Sequence, residues 1–119
     1  MTKTTTNFVA LHDEADTATA LTYSTSGDLA QSTSNQHLTR SIGNGNDEHC
    51  SGSLTIYNPS SDTFVKHFIS RTVRYDKDNY IVDDFVAGYG NTTSAINAVK
   101  FEMNTGNIDA GQILLFGIN

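Results

Sequence analysis

Cysteine occurs once in the 119 residues, as Cys50, and only seven side chains are Lys or Arg. A lone cysteine closes no internal bridge, which excludes the disulfide-stapled scaffolds that small secreted chains use in place of a large core. Seven basic residues without a run among them, set against 13 acidic ones for a net charge of −6, lack the electrostatic footprint that a phosphate backbone requires. Nucleic acid is therefore not expected as a partner. No apolar run approaches the ~18 residues of a membrane helix, and residues 1–7 are Thr-rich, without the basic and apolar regions of a secretory leader. The expectation is a soluble chain made in the cytosol, with no membrane partner.

Charged residues make up 17% of the chain, below the usual ~25%, and uncharged polar residues fill the difference. With 37% hydrophobic and 9% aromatic residues, the chain can fold, but around a thin core. Its length fits one domain and excludes a two-domain enzyme. A core so small invites a partner surface to supply part of the missing burial.

Period-two patterning organises the chain. Residues 13–23 mix an acidic start with Thr17, Thr19 and Thr22, whose β-branched side chains favour a strand over a short helix. Residues 24–34 are rich in Ser, Thr, Gly and Asp and read as a loop. Residues 36–42 alternate weakly and suit one strand, and residues 42–52, with three glycines, read as a surface loop. From Ser53 the alternation is clear: Leu54 and Ile56 share one face, and residues 58–62 stop the strand with turn chemistry. Residues 64–75 form a longer run with Phe64, Lys66 and Phe68 on one side and Val65, His67, Ile69, Arg71, Val73 and Tyr75 on the other. Residues 76–79 make a polar hairpin loop, and residues 80–89 return as the partner strand. Residues 95–103 alternate through Val99, Phe101 and Met103, and residues 112–118 form a nearly continuous apolar strand. Strands with turns every ~8–12 residues predict an all-β fold, an antiparallel β-sandwich of about seven or eight strands.

The chemistry-bearing residues do not assemble into a recognisable site. Asp47, Glu48, His49 and Cys50 are the densest ligand cluster, yet they lack the paired Cys or His spacings of zinc sites. Residues 76–79 open like a calcium loop without its glycine at the sixth position or its Glu at the twelfth. Asp83 and Asp84, adjacent in a strand, point to opposite faces and cannot act as a facing carboxylate pair. His67, among β-branched and aromatic neighbours, reads as a hydrogen-bonded wall residue. No Gly-x-Ser-x-Gly elbow is present, and Cys50 has no nucleophile context. Asn91-Thr92-Thr93 matches the glycosylation rule, which carries no weight without export. Tyr57, Tyr75, Tyr80 and Tyr89 suit either a sugar platform or core and interface positions. The expectation is a non-enzymatic protein with no metal and no cofactor.

Three stretches carry a family likeness: Gly-Ser-Leu-Thr-Ile-Tyr-Asn-Pro at residues 52–59, Thr-Thr-Ser-Ala-Ile-Asn-Ala-Val-Lys-Phe at residues 92–101, and Asn-Thr-Gly-Asn-Ile-Asp-Ala-Gly-Gln-Ile-Leu-Leu-Phe-Gly-Ile at residues 104–118. In this order they resemble a family of tailed-bacteriophage virion proteins that decorate the capsid or form other external particle parts. The resemblance spans somewhat more than half of the chain. It implies a jelly-roll-like sandwich, location in the virion after assembly in the host cytoplasm, and a capsid decoration or cement role, with the major capsid protein or other virion proteins as partners. It brings no catalytic residues. Such proteins carry leading strands that this chain is too short to contain, and a sandwich lacking them exposes unpaired backbone groups. A neighbouring chain is then expected to complete it, with a homo-oligomer, a trimer foremost, as the result. Residues 1–17 are expected as an N-terminal arm and residues 18–119 as a single sandwich domain. Phe8, Val9, Tyr57, Tyr75 and Tyr80 are the candidate interface residues. The alternative role is a carbohydrate- or receptor-binding module of a fibre or tail, with the tyrosines and residues 76–84 as its site.

Overall fold

In the computed structural model, which describes residues 1–118, the chain is all-β, without a helix, and forms one antiparallel sheet of six strands. These are β1 (Lys3–Asp13), β2 (Thr19–Tyr23), β3 (Leu29–Ser32), β4 (Cys50–Ile56), β5 (Lys66–Asp76) and β6 (Tyr80–Gly90). The order across the sheet is β2-β1-β6-β5-β4, with β3 beside β2 on the outer edge of β1. The three 11-residue strands β1, β6 and β5 form the centre.

Residues 3–13, expected as part of an arm, are thus a central strand. Thr4, Thr5, Thr6 and Val9 suit a pleated surface through their β-branched side chains, and all 11 positions pair with β6. The opposite edge of β1 is shared. Residues 8–12 pair with β2, Lys3 and Thr5 pair with β3, and the chain between these strands breaks at Ser24 and Gly27. The loop expected at residues 24–34 therefore contains a short strand. Gly27 lies against Asn7 so closely that a Cβ would sit 2.3 Å from the Asn7 amide oxygen and would force that buried side chain to shift.

The β5–β6 hairpin follows from its turn residues. Asp76 pairs with Tyr80, leaving residues 77–79 as the loop. The Asn79 N–H donates to the Asp76 carbonyl at 3.0 Å, and Asn79 takes the left-handed conformation at φ 64°. This is the three-residue hairpin with a terminal αL residue, and asparagine tolerates that conformation.

The burial of β5 alternates without a break, and apart from Phe68 the buried set is polar: Lys66, Ser70, Thr72, Arg74 and Asp76. Thr5, Asn7 and Val9 of β1 join this face, as do Val82, Asp84 and Val86 of β6. Among the described residues, the fully buried apolar side chains are Val9, Phe68, Val82 and Val86. Residues 36–42, expected as a strand, cross this face as irregular chain fastened by polar contacts. Gln36 and Thr5 side chains meet at 2.7 Å, Thr39 donates to Asp84 at 3.3 Å, Arg40 bonds Ser24 and Ser26, and Ile42 bridges to Asp76. Beneath them Arg74 reaches both Asp84 and Asp76, in an ion cluster nearly closed to water.

Six strands stand where seven or eight were expected. Among the described residues no strand follows Gly90, so residues 95–103 and 112–118 are not strands. The reason lies in where β6 sits: both its edges are occupied by β1 and β5, so chain leaving it has no adjacent ladder to join. Lys66, only 1% exposed, directs the departure. Its ammonium donates to the Ser61 and Phe64 carbonyls at 2.7 Å and reaches those of Thr92 and Thr93 at 3.4 Å. The Ile96 N–H then bonds the Pro59 carbonyl. Beyond it, residues 97–118 are exposed throughout.

Two stability outcomes follow from these contacts. Arg74→Met strands two buried carboxylates and lowers unfolding free energy by about 3–5 kcal/mol in urea titration. At the β1–β2 turn, Asp13 is held below the ordinary carboxylate value of 3.8 by hydrogen bonds from Thr17 and Ala18. A carboxyl whose pKa falls on folding stabilises fully above its unfolded value, and that contribution is lost as pH drops through the folded one. Asp13→Asn therefore reduces the loss of stability between roughly pH 4 and pH 2 in acid melts.

Candidate functional site

The pleat that turns polar side chains of β5 inward turns its apolar ones outward. His67, Ile69, Arg71, Val73 and Tyr75 occupy the opposite face of the sheet, which no described element covers. The register sets them beside Ile81, Asp83, Phe85, Ala87 and Tyr89 of β6, then Thr4, Thr6, Phe8, Ala10 and His12 of β1, then Leu21 and Tyr23 of β2. Leu21 is 75% exposed, and Ile69, Ile81, Val73, Tyr23 and Phe8 are all exposed. Scattered apolar residues on a surface carry no message, but a contiguous apolar sheet face marks an interaction site.

One row orders the middle of this face. Phe8 and Phe85 stack with ring centroids 4.5 Å apart and planes 5° from parallel. The Arg71 guanidinium lies 4.9 Å from the Phe85 centroid, within cation–π range. Its fork grips Asp83, with Nε donating to Oδ1 at 3.0 Å and Nη2 to Oδ2 at 2.6 Å. Arg71 is thereby held over the Phe85 ring with its charge neutralised by Asp83. At one end Tyr57, His67, Ile69 and Ala87 line an open depression of about 420 Å³, floored by Phe68 and Gly88. At the other, the nearby Glu14 carboxylate pushes the Tyr75 phenol above its ordinary pKa, chiefly by hydrogen bonding. The Tyr75 hydroxyl is placed to donate its one proton to Asn79 Oδ1 at 3.2 Å.

The candidate interface residues divide between the two faces. Phe8, Tyr57 and Tyr75 belong to the open face, as an interface requires. Val9 is 6% exposed and lies in the core, because it neighbours Phe8 in a strand and must point the other way. Tyr80, opposite Asp13 and Asp76, falls on the covered side, half-buried. The residues that dominate the open face, Leu21, Ile69, Val73, Ile81 and Phe85, were not singled out in the sequence. The available signal was the apolar odd-numbered side of residues 65–75, which the ordinary rule assigns to the core.

The clusters weighed for chemistry are occupied by structure. Asp76 accepts from Arg74 and from the Asp78 N–H, and Asp84 is paired with Arg74. Glu48 folds back on Gly45, and the His49 ring faces the Asp47 carbonyl at 3.2 Å. Burial raises the Cys50 thiol pKa, partly offset by the Arg74 charge. Among the described residues, no three His, Cys, Asp or Glu side chains are placed to hold a metal ion. Comparison of the chain with family models, with curated proteins and with solved structures finds no match.

The two faces respond differently to truncation. Ile69→Thr on the open face changes unfolding free energy by no more than about 0.5 kcal/mol and weakens the binding of a hydrophobic dye. Val86→Ala in the core costs about 2 kcal/mol. Denaturant melts of the two variants read this contrast.

Proposed function

We propose that this chain is a non-enzymatic virion structural protein, a capsid decoration or cement subunit that stabilises a phage particle by adding contact area at subunit junctions. The observation that carries the reading is the uncovered apolar face running from Leu21 through Phe8 and Phe85 to Ile69 and Val73. Antiparallel sheets commonly leave one face to water, but that face is then polar. Here the exposed face carries Leu21, Phe8, Ile69, Val73 and Ile81, while the covered face holds Lys66, Arg74, Asp76 and Asp84 beside its four buried apolar residues. Burying five or six such side chains contributes about 2 kcal/mol each, enough to offset the cost of association only if most are covered together.

The same reading accounts for the missing layer. A jelly-roll-like sandwich needs a second sheet, and in an assembly a neighbour supplies it, whether the major capsid protein or another copy in a trimer. The likeness of residues 52–59, 92–101 and 104–118 to phage virion proteins supports the setting. A carbohydrate-binding role is the second reading, favoured by the depression beside Tyr57 and His67. It loses the carboxylates of Asp76 and Asp84, which Arg74 holds inside.

Particles assembled with and without the protein separate these outcomes. A cement subunit raises the temperature of genome release, and Phe8→Asp or Ile69→Asp abolishes the gain while the chain stays folded. Equal release temperatures with full occupancy exclude the cement role. Specific glycan-array binding lost in Tyr57→Ala assigns the protein to sugar recognition instead.

A further inference from the structure

The edge of β4 and the apolar segment at residues 112–118 are complementary features of one chain that its own fold leaves apart. At the two ends of β4 the Tyr57 N–H bonds the His67 carbonyl, and the Tyr75 N–H bonds the His49 carbonyl. Residues 49 and 57 therefore turn their backbone groups towards β5, and by the alternation of an antiparallel ladder so do 51, 53 and 55. Cys50, Gly52, Leu54 and Ile56 turn theirs outward, where no described strand pairs with them. An edge of this kind is a template for one more strand.

Residues 112–118 have the character of that strand. Ile113 and Leu115 fall on one side of an extended chain, and Leu114, Phe116 and Ile118 on the other. A strand apolar on both faces belongs inside a packed assembly. In this fold Leu115 is 95% exposed and Ile118 is 92% exposed. The segment spans seven positions, the same length as β4. Paired beside β4, one set of its side chains extends the thin core past Leu54 and Ile56, and the other extends the open face past Tyr57.

We propose that residues 112–118 of one copy add as a strand to the β4 edge of a second copy. Backbone pairing provides the affinity and the alternating apolar side chains set the register. The surface that gives differs from the surface that receives, so two copies can exchange segments about a two-fold axis, or several can pass them head-to-tail and close into a ring where the rotation allows. This contact deepens the assembly reading and rests on it for its biological setting.

Two variants of the full chain test it by sedimentation. Phe116→Asp damages the donor, at a position the fold leaves exposed. Leu54→Pro damages the receiver by removing an outward N–H, while the bonds of β4 to β5 are kept. Gly52 is unsuitable for this purpose, since a Cβ there would lie 2.5 Å from the Arg71 carbonyl oxygen. The wild-type chain is expected to self-associate, and each variant to raise the apparent dissociation constant at least about tenfold. Mixing the two variants restores a one-to-one complex, because one still carries an intact edge and the other an intact segment. A wild-type chain that stays monomeric at roughly 0.5 mM, or a mixture no more associated than its parts, overturns the contact. Should Leu54→Pro fail to fold, unchanged association of Phe116→Asp overturns it alone. Particle heat release decides the assembly reading separately: a gain kept in both variants leaves the cement role standing without the contact, and no gain from a wild-type chain that self-associates rejects only the cement role.

Discussion

Arg74 is the side chain on which the arrangement depends. It lies 7% exposed between Asp84 and Asp76, and a charge so placed must be paired or not buried at all. Its pairing fixes which way β5 faces. Once Arg74 points inward, Lys66, Ser70 and Thr72 point inward with it, and Ile69 and Val73 are sent to the surface. The segment at residues 36–42 then has polar groups to bind, and it does so through Gln36, Thr39 and Arg40. A hydrophobic lid would find little to pack on except Val9, Phe68, Val82 and Val86.

This inversion explains what could and could not be read from the sequence. The β5–β6 hairpin was legible to within two residues, since alternation and the Asp-Lys-Asp-Asn turn agree. The strand from Ser53 to Ile56 was legible from its alternation, but β4 begins at Cys50, inside the residues 42–52 expected as a loop. The central position of residues 3–13 was not, because Thr-rich sequence with few large apolar side chains reads as an exposed arm when packing is ignored. Residues 112–118 misled in the opposite direction. Their side chains are those of a strand, but a strand exists only with a partner, and sequence patterning carries no statement about which ladder is free.

At the candidate site, alternation placed Tyr57 and Tyr75 on the correct strand faces, yet the identity of the outward face was hidden. The rule that the more apolar side of a strand is its buried side holds when burial is within one chain. For Val65, His67, Ile69, Arg71, Val73 and Tyr75 that rule points to a core, and the single chain leaves most of them at the surface. Under the proposed assembly the same pattern is consistent, with another molecule supplying the second wall. Val9 shows the corollary, since its neighbour Phe8 can serve a partner only because Val9 serves the interior.

The ammonium of Lys66 acts as a fixed moorings point for the chain that leaves the sheet, through the carbonyls of Thr92 and Thr93. The Ile96 N–H bond to the Pro59 carbonyl is the last tie, and the roughly 16 residues from there to Gln112 can stretch no farther than about 53–58 Å. Whatever receives the apolar segment must therefore stand inside that radius, and a lattice with wider spacing lies beyond its tether.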